Sequence, residues 1–192
     1  MKYRNFICLL FFIWCGCRSN TATTTTGTIV TNDWKKVLQE ELPLLGHRNW
    51  ILVVDKAFPA LNAPGIKVLY ADENLLPVLK YTLAKIDASS SVRPIIYTDK
   101  ELQYLTSQQV TGINAYRDTL KTIVNQPMKS ILHDSLFTSI QVTSELFKVL
   151  VIKTNETKAY SSVFLQLDCA YWDGAHEKQL RALMSDNKLS DE

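Results

Sequence analysis

Trp50 to Val54, WILVV, is an unbroken apolar run of strand length, and it is the feature that most restricts how this chain can fold. Its β-branched content and lack of alternation predict a central strand buried on both faces, which requires helices on either side of a sheet. The run closes on Asp55 and is preceded by Leu45-Gly46-His47. Fifteen residues, LGHRNWILVVDKAFP, therefore hold a histidine, a buried strand and a carboxylate. A carboxylate at the carboxyl end of a buried parallel strand stands where open α/β sheets form their ligand crevices.

The flanking sequence alternates helical and strand periodicity. Asn32 or Asp33 can cap a helix whose stripe is Trp34, Val37, Leu38, Leu42 and Leu45; Pro43 disturbs its last turn, and Gly46 is placed to end it in the left-handed conformation. A loop with Pro59, Pro64 and Gly65 leads to a strand at Ile66 to Tyr70, and Asp72 or Asn74 starts a helix running to about Ile86. Pro94 to Thr98 reads as a strand and Ser107 to Val124 as a helix weakened at Gly112. Ile131-Leu132 reads as a short strand and Phe137 to Phe147 as a helix. Two more strands follow at Val149 to Ile152 and Val163 to Leu167, then a last helix from Ala175 to Met184. Long helices alternating with short apolar strands predict a layered α/β domain with a mainly parallel sheet.

The ends of the chain differ from this pattern. Lys2 and Arg4 precede the apolar block Phe6 to Trp14, which closes at Cys15-Gly16-Cys17, an arrangement read as a bacterial export signal over residues 1–16. Cys17 is then the expected lipid-bearing first residue, with Cys15 the weaker alternative and a plain cleaved secretory signal the other reading. Both place the protein outside the cytoplasm, in the periplasm or cell envelope, and the first anchors it to the membrane. Residues 17–31 are dominated by Thr, Ser and Asn and read as a tether, residues 32–186 as one domain with a C-terminal helical extension, and residues 187–192 as a polar tail.

Loss of Lys2 and Arg4 with the signal reduces Lys plus Arg from 21 to 19, against 19 Asp plus Glu. A mature charge near zero gives no basis for nucleic-acid binding. Of the four cysteines only Cys169 lies in the domain, so neither a disulfide framework nor a cysteine metal site is expected there, and Cys169 is read as a small buried residue. No phosphate-binding glycine loop, metal-ligand spacing or nucleophile elbow appears, and no cofactor is expected.

The acid/base groups near strand ends are His47, Asp55, His133, Tyr160 and Asp168. Imidazole suits proton transfer near neutral pH because both its protonation states are accessible there. Eight residues of extended chain span roughly 26 Å, so His47 and Asp55 cannot meet through the strand alone. Either the Gly46-His47 segment curls back over the sheet or the two residues contribute from different subunits. The bland alternatives are equally concrete: His47 as a helix-end cap or surface residue, Asp55 as a cap of its own turn, Tyr160 as a packed ring, and His176 as a solvated helix residue.

The text LGHRNWILVVDKAFPA resembles the sugar mutarotase family that contains D-ribose pyranase and L-fucose mutarotase, whose members carry Leu-Gly-His, an apolar strand, Asp-Ala and then Phe-Pro or a close variant. The likeness extends through the Pro94 to Thr98 strand, Tyr116-Arg117 and the strands ending near Leu167. It implies a three-layer α/β fold assembled into rings with sites at subunit interfaces, and cofactor-independent interconversion of ring or anomeric forms of a free ribose-, fucose- or galactose-like sugar. By the same resemblance His47 is the catalytic proton donor, and Asp55, His133 and Tyr160 are substrate-binding. Ser162 stands where the family has a sugar-binding asparagine, two positions after the tyrosine, and offers a shorter hydrogen-bonding arm.

Overall fold

The computed structural model describes residues 33–188, and side chains through Ser185. The expected export signal, the Cys17 lipidation site, the tether and the end of the polar tail lie outside the described residues. No helix among the described residues is long and apolar enough to cross a membrane.

Among the described residues six strands form one sheet: β1 (Trp50–Val54), β2 (Ile66–Tyr70), β3 (Val92–Asp99), β4 (Met128–Ile131), β5 (Val149–Lys153) and β6 (Val163–Cys169), in the order β2-β5-β1-β6-β3-β4. The pairs β1–β5, β2–β5 and β3–β4 are parallel, whereas β6 runs antiparallel to both β1 and β3. The sheet is therefore mainly parallel, with a reversed strand at its centre. Every residue of β1 is buried, as an unalternating apolar run between two hydrogen-bonded neighbours requires.

Successive residues of β1 serve different layers. Ile51 and Val53 join the core made with α1 (Trp34–Glu41), α2 (Leu75–Asp87) and α3 (Ile113–Val124). Trp50, Leu52 and Val54 face the smaller core made with α4 (His133–Leu146), where Leu136, Ile140 and Phe164 are fully or nearly buried. The result is three layers: three helices, a sheet, and one helix. Gly65 sits where a Cβ would come within 2.7 Å of the carbonyl oxygens of Ser144 and Phe147, so only glycine allows the start of β2 to pass the end of α4. The last helix, α5 (Gly174–Lys188), lies on the surface with Leu183 and Met184 exposed.

Several local expectations shift, each for an identifiable reason. Pro43 converts the end of α1 into a 3₁₀ turn at Leu42–Leu44, so the helix has already stopped, with Leu45 extended, before Gly46 is reached. The left-handed position falls instead on Arg48, φ 74°, inside a turn closed by the Asn49 N–H donating to the Gly46 carbonyl. Helix α3 begins at Ile113 rather than near Ser107, because Gly112 at φ 78° turns the chain into it. Strand β3 starts at Val92 and runs through Pro94, whose missing N–H is tolerated because β4 pairs only from Ile96 onward. Helix α4 begins at His133, a full turn before Phe137. Cys169 is partly exposed rather than buried, since β6 there extends past its layer of covering side chains.

Candidate functional site

The reversal of β6 decides which side chains meet. Its first residue, Val163, lies opposite Val53 of β1 and Thr98 of β3, so the segment before β6 abuts the carboxyl ends of both. Asp55 follows β1, Asp99 closes β3, and His133 follows β4 after one residue. Tyr160 and Ser162 precede β6. Asp55, Asp99, His133, Tyr160 and Ser162 are thus gathered at one end of the sheet.

Asp55 is half-buried and both of its oxygens are engaged. Oδ1 accepts the Ala57 N–H at 2.8 Å, which caps its own turn, and Oδ2 accepts the Ser162 hydroxyl at 2.7 Å. The same hydroxyl accepts the Asp55 N–H at 3.1 Å. Ser162 is 1% exposed. Expected at the sugar, it reaches the site here through Asp55, because the short serine arm is consumed within the protein.

His133 opens α4 with its N–H donating to the Glu101 carboxylate at 3.2 Å, and its Nδ1 lies 3.1 Å from Asp99 Oδ1. Its ring is 4.7 Å from that of Phe137 and meets the edge of Tyr160 at 5.4 Å. Tyr160 is partly exposed and has φ 55°, an uncommon conformation for a bulky residue. The preceding loop holds it there: Glu156 Oε1 accepts the N–H groups of Thr157 and Lys158 and the Lys158 ammonium, at 3.0 to 3.2 Å.

Asp99 is fully buried, and its Oδ2 has no hydrogen-bond partner among the described residues. Burial pushes its carboxyl up to about 6, against the opposing pull of the His133 hydrogen bond and charge, with Glu101 and Asp55 adding to the rise. Neither Asp99 nor Glu101 was among the residues expected from sequence. A signal for Asp99 was present, since LVVDK at residues 52–56 and IIYTDK at residues 95–100 are both apolar strands ending on Asp-Lys.

His47 lies at the opposite end of the sheet, at the turn before β1. Its Nδ1 is 3.0 Å from Asp168 Oδ1, while Arg93 donates to Asp168 Oδ2 from Nε at 3.1 Å and Nη2 at 2.8 Å. Burial alone would raise the Asp168 carboxyl, but Arg93, the Cys169 N–H and His47 together hold it below the ordinary carboxylate value. The Arg48 N–H donates to the Leu167 carbonyl at 2.9 Å, which keeps this segment along β6 and away from a curl back over the sheet. Of the two routes by which His47 could meet Asp55, fold-back within one chain is not taken. Because His47 is exposed and Asp168 keeps its Arg93 partner, His47→Ala should change the unfolding free energy by less than about 1 kcal/mol, read from the urea midpoint. The same turn borders an open cleft of about 620 Å³ walled by Tyr171, Trp172 and Glu177. His176, expected to be solvated, is exposed and pairs with Asp173.

No family model matches the chain, and neither does any curated protein. Among solved structures it is similar to Bacillus subtilis RbsD complexed with D-ribose, at 19% identity over 72% of this chain and 92% of that one, with a TM-score of 0.45. FucU from Bifidobacterium longum is similar at 18% identity over 68% of this chain and 92% of that one, TM-score 0.46. The fucose mutarotase of Streptococcus pneumoniae in complex with L-fucose is similar at 16% identity, covering 70% of this chain and 90% of that one, TM-score 0.46.

Proposed function

We propose that this chain is a cofactor-independent monosaccharide mutarotase or pyranase, acting on a free ribose-, fucose- or galactose-like sugar. The observation that carries this reading is the meeting of His133, Tyr160 and Asp55 at one end of the sheet, three residues singled out by the resemblance of LGHRNWILVVDKAFPA to the sugar mutarotases. Interconversion of ring forms needs one proton delivered to the ring oxygen and one removed from the anomeric hydroxyl, work within reach of imidazole and carboxyl groups. An exposed tyrosine ring beside an imidazole also offers an apolar face and a hydroxyl to a sugar. His47 enters this reading as a proton donor from a neighbouring copy, since one chain holds it at the far end of β1.

A second reading, a non-catalytic sugar-binding lipoprotein on the same fold, is favoured by one observation: the Ser162 hydroxyl and both Asp55 oxygens are already engaged internally. Exchange-sensitive NMR of ribose, fucose and galactose with purified protein separates the two. The enzyme should interconvert at least one sugar faster than buffer does, and His47→Ala should slow it by about 10²-fold or more. Binding without any acceleration sinks the enzymatic reading.

Export and anchoring belong to the same proposal, with a lipid on Cys17 holding the domain at the cell envelope through the tether. Labelling with a fatty-acid analogue should disappear in Cys17→Ser; label retained by that variant refutes the assignment.

A further inference from the structure

We propose that His133 is the base that takes the proton from the anomeric hydroxyl, and that Asp99 is the positioning residue that holds it ready, both within one chain. This rests on the mutarotase reading and adds to it a proton acceptor complementary to the His47 donor.

The two histidines are built differently. His47 is exposed, and its Asp168 is shared with the Arg93 guanidinium, which already satisfies the other carboxylate oxygen. His133 is fixed at three points: its backbone N–H on Glu101, its ring between Phe137 and Tyr160, and its Nδ1 on Asp99. Asp99 has no exposure, and Oδ2 has no partner among the described residues. A buried carboxylate oxygen without a partner is costly, and a purely structural role at this position would be served as well by a neutral side chain. What a carboxylate alone supplies is a negative charge against an imidazole.

The geometry sets the tautomer. A carboxylate 3.1 Å from Nδ1 accepts the Nδ1–H, which leaves the lone pair on Nε2, the nitrogen for which no hydrogen bond exists among the described residues. Nε2 can then take the proton from the anomeric hydroxyl. The electron pair of that O–H bond becomes the second bond of the C1 carbonyl, the bond from C1 to the ring oxygen breaks, and the ring oxygen is protonated by the donor acid. Rotation about C1–C2 and the reverse sequence close the ring on the other face, with no net change in atoms or electrons. The charged groups facing Asp99 are His133, Glu101 after β3 and Asp55 after β1. The two further acids carry the same sign as Asp99, and all three favour the imidazolium formed in transit.

The test uses the full chain, its two variants His133→Gln and Asp99→Asn, and ribose, fucose and galactose as probes. ¹⁵N NMR of the sugar-free wild type should show neutral His133 protonated on Nδ1, a tautomer that becomes the minor one in Asp99→Asn. His133→Gln should lower kcat for exchange by about 10²-fold or more, and Asp99→Asn by about 10-fold to 10²-fold, while the sugar Kd of Asp99→Asn, whose side chain acts only through His133, stays within about threefold. The acid limb of the pH–rate profile should also move to lower pH in Asp99→Asn, a change that loss of a merely structural contact would not produce. Wild type protonated on Nε2, or an active wild type whose rate survives His133→Gln, overturns this inference and leaves the mutarotase reading standing. A wild type inactive on all three sugars overturns both.

Discussion

Replacing Phe164 with alanine should destabilise the fold by about 3–5 kcal/mol, a large part of the stability of a typical domain. Phe164 is fully buried in the middle of β6, opposite Leu52 of β1 and Tyr97 of β3. The space left by its ring cannot readily close, because β6 is hydrogen-bonded on both sides and the strand cannot move toward α4 without breaking two ladders. The upper part of the range is therefore expected. The ring also begins an aromatic series: Phe164 lies 6.3 Å from Phe58, Phe58 stacks on Phe137 at 5.2 Å, and Phe137 lies 4.7 Å from His133. A cavity there loosens the support of the site as well as the core. Phe164→Leu, which refills most of the volume, should cost about 1–2 kcal/mol and keep the site in place. Urea titrations at constant m-value measure both, and a cost below about 1.5 kcal/mol for Phe164→Ala would mean that α4 collapses into the vacated space.

The architecture was largely legible because its strongest signals are local. WILVV is a short, unalternating, β-branched run that favours a strand covered on both faces, and the helices announce themselves by stripes such as Leu75, Leu79, Leu83 and Ile86. The rise of an extended chain showed only that His47 and Asp55 cannot meet through the strand; that the segment does not fold back is read from the Arg48 N–H on the Leu167 carbonyl. The direction of β6 was not legible, since an apolar strand pattern reads the same in a parallel or an antiparallel neighbour. That direction is what brings Ser162 to Asp55 and Tyr160 to His133, so the site depended on the least readable fact about the sheet. Asp99 was missed for a related reason. Its strand, IIYTD, includes Tyr97 and Thr98 and is less uniformly apolar than WILVV, and its significance appears only when β4 delivers His133 beside it. The misplaced left-handed residue shows the limit of single-residue rules. Gly46 could adopt that conformation at no cost, yet Pro43 shortened the helix and moved the requirement to Arg48.

Asp99→Asn should make the protein more stable at pH 7.5, by about 1–3 kcal/mol, and leave its stability almost unchanged near pH 3.5. Folding raises the Asp99 carboxyl to about 6, chiefly through burial. A group whose folded value lies above its unfolded one favours the folded state while it is protonated. Its contribution is complete below about pH 4 and disappears as the pH rises through about 6. Above that range wild type carries a buried charge with one hydrogen bond and an unpartnered oxygen, whereas asparagine is a neutral side chain of the same shape. Other carboxylates, Asp72, Glu73 and Asp168 among them, are held below their ordinary values and pull the wild-type curve the opposite way, so the variant must be compared with wild type at each pH. The expected result is two urea midpoints that coincide in acid and diverge toward neutrality with the variant ahead. A variant less stable at both pH values would show that the pairing with His133 outweighs the cost of burying the charge. If the variant is instead more stable and a poorer catalyst, lost rate cannot be ascribed to lost folding, and the carboxylate is kept at the expense of stability for the proton transfer it supports.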